Sequence, residues 1–290
     1  MVQTRPSVVP LLQRVLHPMD FSEAGDTAFA HALVLTLAAK AKLTILHASD
    51  DRGGSWTDFP GVRETLERWG RLPMNSERAD VLQLGIEVQK VQMIHGDPVE
   101  SITTHLEEHG ADLVILATDQ QKGGIQWVNR SVATSVARKS REMTLFLPKG
   151  QKGFVSPYDG SISLENILIP VASVPSAQSA VHAAAMLVSG LHCESGMLTL
   201  LHVGEDGTMP SLACPEVDGW RWNRITRNGE VIEIIHQTVR EIDADLIVMA
   251  TDGRNGFLDV LRGSHSERVL QECSCPLLTI PADGWMATAL

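Results

Sequence analysis

The sequence predicts an α/β protein built from two tandem units. Each is a mainly five-stranded parallel sheet with helices on both faces, and the second copy is shortened. Three observations lead to this fold class. The first is an internal repeat: residues 111–119 read ADLVILATD and residues 244–252 read ADLIVMATD, identical at six of nine positions. The register holds without a gap from Gly96–Pro148 onto Gly229–Pro281, at a constant offset of 133. Upstream, RVLHPMDFS at 14–22 answers NILIPVASV at 166–174, and LTILHAS at 43–49 answers LTLLHVG at 198–204. Three blocks in the same order, at a period far too long for a solenoid, make each copy a domain. The second observation is that the apolar runs are continuous, which suits strands covered on both faces. The third is the alternation of strand and helix signals, which implies βαβ units.

The elements follow in order. Val15–Met19 is a short apolar run ending at Asp20, and a helical stretch runs from about Ser22 to Ala39. Leu43–His47 and Val88–Ile94 read as strands, Pro98–His109 as a helix, and Leu113–Ala117 as a buried strand. A helix over roughly Ser131–Lys139 leads into the strand Thr144–Leu147. The copies differ in one place: 48 steps separate Ala48 from Gly96, but only 26 separate Val203 from Gly229. The extra segment of copy 1 carries Val62, Leu66 and Trp69 at i, i+4 and i+7, as on one helix face. Copy 2 has EDGTMPSLACPEVDGWRWN instead, which reads as a loop in place of a lost helix. Trp220 and Trp222 are expected in that loop, packing over the space the helix leaves. Residues 149–163, KGQKGFVSPYDGSIS, read as the connection, with a Pro-Tyr-Asp-Gly centre suited to a short hairpin. The expected domains are therefore 1–150 and 151–290, both Rossmann-like, with ligands beyond the carboxyl ends of the strands.

Composition narrows the function. A chain that is 43% hydrophobic and 20% charged is a folded globular protein. With 24 Lys and Arg against 35 Asp and Glu the net charge is −11, a poor match to nucleic acid. The four cysteines are too few and too scattered for a secreted disulfide framework. The stretch MVQTRPSVVPLLQRVLHPMD has no apolar run long enough for a signal peptide or membrane span. AFAHALVLTLAAKA is interrupted by His31, Thr36 and Lys40. The expectation is a soluble cytoplasmic protein with neither a nucleic-acid nor a membrane partner.

The informative stretch runs from Ala250 to Ser266, after the strand Leu246–Met249 and into a helix beginning near Ser266. Small residues at Ala250, Gly253 and Gly263 let backbone approach a ligand closely. Gly256 belongs to the same loop. Ser264 and the N–H groups entering the helix, with His265 and Ser266 beside them, offer donors to phosphate oxygens, aided by the helix dipole. Arg254, Arg262 and Arg268 add positive charge in an acidic chain.

On these residues the chain resembles the universal stress protein family in its tandem two-domain form. Nucleotide-binding members carry Gly-x2-Gly-x9-Gly-(Ser/Thr) after the fourth strand and an Asp at the end of the first. Copy 2 reads Ala250-x2-Gly253-x9-Gly263-Ser264, departing only at the first small residue. The resemblance implies the adenine-nucleotide alpha-hydrolase-like fold, ATP or a related adenine nucleotide at the strand ends, and pairing through the last strand. It also implies a role in stress survival, commonly without an established reaction. Adenine and ribose in copy 2 would then lie near Pro170, Val171, Ala172 and Val203, with Met249 also among the nucleotide-binding residues. In copy 1 the loop positions are Ala117, Gln120, Arg130 and Ser131, so side chains stand where backbone should approach phosphate. Copy 1 keeps the first-strand Asp, Asp20, whereas copy 2 has Ala172. Asp20 followed by Ser22 is equally readable as a helix cap. A weaker second site at Asp20, Ala117, Arg130 and Ser131 is the lesser expectation.

No catalytic residue is assigned. Walker, GxSxG, HxGH and SGGxDS signatures are absent, and no base–nucleophile pair stands out. Eleven histidines raise metal binding, but they are read as lacking HxxxH and HExxH spacing, and no metal site is expected. His47 and His202 occupy matching strand ends and read as structural or pocket-lining. Cys273-Ser-Cys275 reads as a buried or idle pair. Two rivals remain at this level: a nucleotide-free interaction scaffold of the same fold, and a slow ATPase using Asp252 or His265. The terminal strands Thr144–Leu147 and Leu277–Ile280 are suited to pair the two copies within one chain, and pairing of whole chains as a homodimer is a further expectation. The protein partner and the stress stay unnamed.

Overall fold

A computed structural model describes residues 12–19, 23–49, 56, 58–94, 97–118, 135–136, 142–151, 153–251 and 273–282. The first copy comprises β1 (Arg14–Met19), α1 (Glu23–Ala39), β2 (Lys42–Ser49), α2 (Val62–Arg68), α3 (Arg78–Gln83), β3 (Glu87–Ile94), α4 (Pro98–His109), β4 (Leu113–Thr118) and β5 (Met143–Pro148). The second comprises β6 (Asn166–Val171), α5 (Gln178–Gly190), β7 (Gly196–Val203), β8 (Trp220–Arg227), α6 (Val231–Glu241), β9 (Leu246–Thr251) and β10 (Leu277–Pro281). Both copies have the strand order 3-2-1-4-5 with parallel neighbours, as doubly wound sheets do. Among the described residues no helix is long and apolar enough to cross a membrane.

The copies join through their last strands. β10 runs antiparallel to β5, with Leu277 opposite Phe146, Leu278 opposite Leu145 and Thr279 opposite Thr144. The result is one ten-stranded sheet, and the pairing is the one the apolar terminal strands suggested. All six residues of β5 are buried. As a free edge such a strand would invite aggregation, and the pairing removes two of these edges at once. The remaining edges, β3 and β8, carry Glu87 and Lys90 and Arg221, Arg224 and Arg227, charges that blunt further pairing.

The repeated Ala-Asp-Leu has a mechanical reason. Asp112 Oδ2 accepts from the backbone N–H groups of Gln13 and Arg14 at 2.7 and 2.8 Å. In copy 2, Asp245 Oδ2 accepts from Glu165 and Asn166, both at 2.8 Å. Each carboxylate thus ties the start of the first strand of its copy to the start of the fourth, with charge-assisted bonds to two amides.

The insert of copy 1 forms α2 as its apolar spacing predicts, with Val62 and Leu66 buried and Trp69 at the C-cap. The six-residue helix α3 was not expected. The connection makes a short hairpin, closed by a Val155–Ile162 bridge and by Ser156 N–H to Ser161 O at 2.9 Å. It lies on copy 1: Trp69 Nε1 donates to Pro157 O, and Phe154 is fully buried edge-on to His31.

One expectation is corrected. Trp220 and Trp222 are not loop residues but open the strand β8. Their packing role holds: Trp220 is buried, its indole N–H donating to Cys193 O, and Trp222 donates to Pro215 O at 2.8 Å. Residues 204–219 contain no helix, so copy 2 is shortened as predicted.

His31 generates a pH prediction. It is wholly buried, Nδ1 engages Thr27 O at 2.7 Å, and Nε2 accepts from Val155 N–H at 3.1 Å. Burial lowers its pKa to about 4. The unfolded chain therefore binds the proton between pH 6.5 and about 4 while the native state does not, and stability falls as pH drops through that window. The expected loss between pH 7 and pH 5 is about 2 kcal/mol, and His31→Gln should flatten it in urea titrations. An unaltered slope in the variant contradicts this. For the carboxylate ties, Asp245→Ala should lower unfolding free energy by about 2 kcal/mol; a loss below about 0.5 kcal/mol would show that the two amides find other partners.

Candidate functional site

The second-copy site is built at the carboxyl ends of β6, β7 and β9. Pairing of Ile167 with Leu246 and of Leu168 with Ile247 sets β6 beside β9, so both strands end at the same level. On the other side Pro170 pairs with Leu201 and Val171 with His202. Pro170, Val171, Val203, Met249 and Ala250 are thereby brought to one end of the sheet. Val171 is buried, the other four are half-buried, and Ala172 is exposed just past the strand. This is the switch point where β7 and β9 diverge to opposite sides of β6, the usual position of a ligand crevice in such sheets.

The strand ends are pinned by a device present in both copies. His202 Nδ1 bonds Val171 O at 2.9 Å, and His47 Nδ1 bonds Met19 O at 2.9 Å. A carbonyl only accepts, so Nδ1 carries the proton in each ring. His202 Nε2 lies 3.0 Å from Thr208 Oγ1, which also reaches Glu205 O at 2.6 Å. The matching histidines therefore fasten the second strand of each copy to the end of the first. Their structural role follows from geometry.

Gly253, Arg254, Gly256, Gly263, Ser264, His265 and Ser266 lie outside the described residues, as do Asp20, Arg130 and Ser131. So does most of the helix expected over 131–139, of which residues 135–136 are helical. Ala117 is half-buried near the end of β4, the place Ala250 takes in β9. The last residues of these strands are bonded alike to the residues that follow β5 and β10: Lys149 N–H donates to Thr118 O at 2.8 Å, and Ala282 N–H to Thr251 O at 2.7 Å.

Titratable groups away from the strand ends are mostly structural. Cys273 and Cys275 are buried thiols outside any disulfide, and the bond from Cys273 together with burial pushes the Cys275 thiol far up. Such a thiol is unreactive. One pair corrects the sequence reading: His105 and His109, in HLEEH, do stand at HxxxH spacing on α4, with ring centroids 4.5 Å apart. Burial, with His109 adding to it, holds the His105 pKa below the usual histidine value. Among the described residues no group of three or more His, Cys, Asp or Glu is placed to hold a metal ion.

Known proteins agree with this architecture. The model of the universal stress protein family matches residues 12–148 and 218–281. A universal stress protein of Methanocaldococcus jannaschii is 20% identical over 157 residues, covering 48% of this chain and 96% of its own. The crystal structure of a universal stress protein from Archaeoglobus fulgidus superimposes with a TM-score of 0.61 at 17% identity, over 94% of this chain and 97% of that one. A functionally unknown protein of Pseudomonas aeruginosa gives a TM-score of 0.58 at 14% identity, over 95% of both chains. At these identities the two structures speak for the fold, and the family model for the family. The chain belongs to the universal stress protein family, in a form that carries the fold twice.

Proposed function

We propose that this chain is a non-catalytic stress-response protein of the cytoplasm that binds ATP or a related adenine nucleotide, chiefly through its second copy. The observation that carries this reading is Ala250-x2-Gly253-x9-Gly263-Ser264, which begins on β9 where that strand ends beside β6. Adenine and ribose would rest against Pro170, Val171, Ala172, Val203 and Met249. The phosphates would meet Gly253 to Ser266, where glycine backbone approaches closely and Ser264, Arg254 and the amides entering the helix donate. Ala172 supplies no carboxylate for adenine or ribose, which weakens the site and relaxes its selectivity without removing its phosphate contacts. Copy 1, with Gln120 and Arg130 in the close-approach positions, serves as a partner domain.

The rival reading, a nucleotide-free interaction protein, draws on the same split: copy 1 has the first-strand Asp and copy 2 the loop. Two variants decide between them by calorimetric titration with ATP. Gly263→Arg, which copies the residue at Arg130, should weaken binding at least a hundredfold with an unchanged thermal midpoint. Wild-type affinity in that variant overturns the site assignment. Ala172→Asp should tighten binding about tenfold, or ~1.4 kcal/mol. Absence of ATP binding in both wild type and Ala172→Asp favours the interaction protein.

A further inference from the structure

The pairing of β5 with β10 leaves a slot on one face of the sheet, between α1 of the first copy and α5 of the second. Its floor is Leu113, Met143, Leu145 and Leu278, from β4, β5 and β10. One wall is Leu35, Ala38 and Ala39 of α1, and the other includes Ala183, Met186 and Gly190 of α5. Phe154 of the connecting hairpin and Pro215 to Val217 of the loop before β8 complete the lining. The cavity measures about 720 Å³, in the size range of small-molecule sites.

Its chemistry restricts the occupant. The floor is aliphatic and the walls are alanine, glycine, leucine and methionine. The polar side chains of the lining are His182, already bonded to Gln178 at 3.1 Å, and Ser189 and Glu216, both exposed at the rim. Nothing inside could orient a polar ligand or repay its lost water. The slot exposes no strand edge to a peptide backbone, because β4, β5 and β10 are all paired on both sides. Leu113, Leu145 and Leu278 form a continuous aliphatic floor. A chain of methylenes matches such a lining and needs no hydrogen bonds.

We propose that this slot binds the hydrocarbon chain of a single-chain amphiphile, its polar head left in water outside the slot. The site is made by both copies and lies apart from the strand ends, so it does not depend on the nucleotide reading. A Cβ added at Gly190 would meet no atom within 4 Å, and Ala38 is exposed, so a large side chain at either position fills the slot without disturbing the core. The test is fluorescence titration of the full chain with cis-parinaric acid below its micelle concentration, on wild type, Gly190→Trp and Ala38→Trp, each checked by thermal melting and sedimentation. The expected result is saturable binding of about one probe per chain, weakened at least tenfold in both variants at unchanged melting temperature. Non-saturable binding, or equal binding in all three proteins, overturns the proposal. So does a wild-type dimer that Gly190→Trp dissociates, which would make the slot an interface between copies of this chain.

Discussion

The antiparallel pairing of β5 with β10 is the contact on which the rest of the structure depends. Two parallel five-stranded sheets would each end in a strand buried on both faces yet unpaired along one edge. Joining Phe146 to Leu277 and Leu145 to Leu278 satisfies both edges and closes one hydrophobic layer across the molecule. The antiparallel sense of the contact also determines what lies above it. Helices α1 and α5 follow the first strand of each copy, so they stand over the inner part of their own sheets. Between them, above Leu145 and Leu278 of the junction, an aliphatic slot remains.

Duplication also explains how function can concentrate in one copy without loss of the fold. The features that hold the sheet are retained twice: the carboxylates of Asp112 and Asp245, and the histidines His47 and His202 at the strand ends. These groups bind backbone. The residues at the proposed ligand positions have diverged. Copy 1 holds Asp20 with Gln120 and Arg130, and copy 2 holds Ala172 with Gly253 and Gly263. A frame shared through one sheet lets either copy lose a binding group at little cost to stability, since these residues lie beyond the strands.

Much of this was legible in the sequence, for particular physical reasons. Continuous runs such as MTLFLP announce strands buried on both faces, and ADL repeated at a fixed offset marks a conserved packing position within the chain. The spacing of Val62, Leu66 and Trp69 revealed α2 because two turns of apolar residues sufficed. β8 was harder to place: WRWNRITR mixes tryptophan with arginine, since it is an edge strand that packs on one side and meets solvent on the other. α3, six residues long, is held by tertiary contacts and its capping box, and it has too few turns to show a period. The HLEEH pair is legible from its i, i+4 spacing alone. The slot could not be read at all, because its lining comes from distant segments that meet only after the two sheets fuse.

The central functional claim is that nucleotide recognition resides chiefly in the second copy. Its most direct test is the stoichiometry of ATP binding to the nucleotide-stripped full chain, by equilibrium titration. The account predicts one site per chain. Two equivalent sites would mean that Gln120 and Arg130 do not block the first copy, and no saturable site would leave the fold without the nucleotide role argued for it.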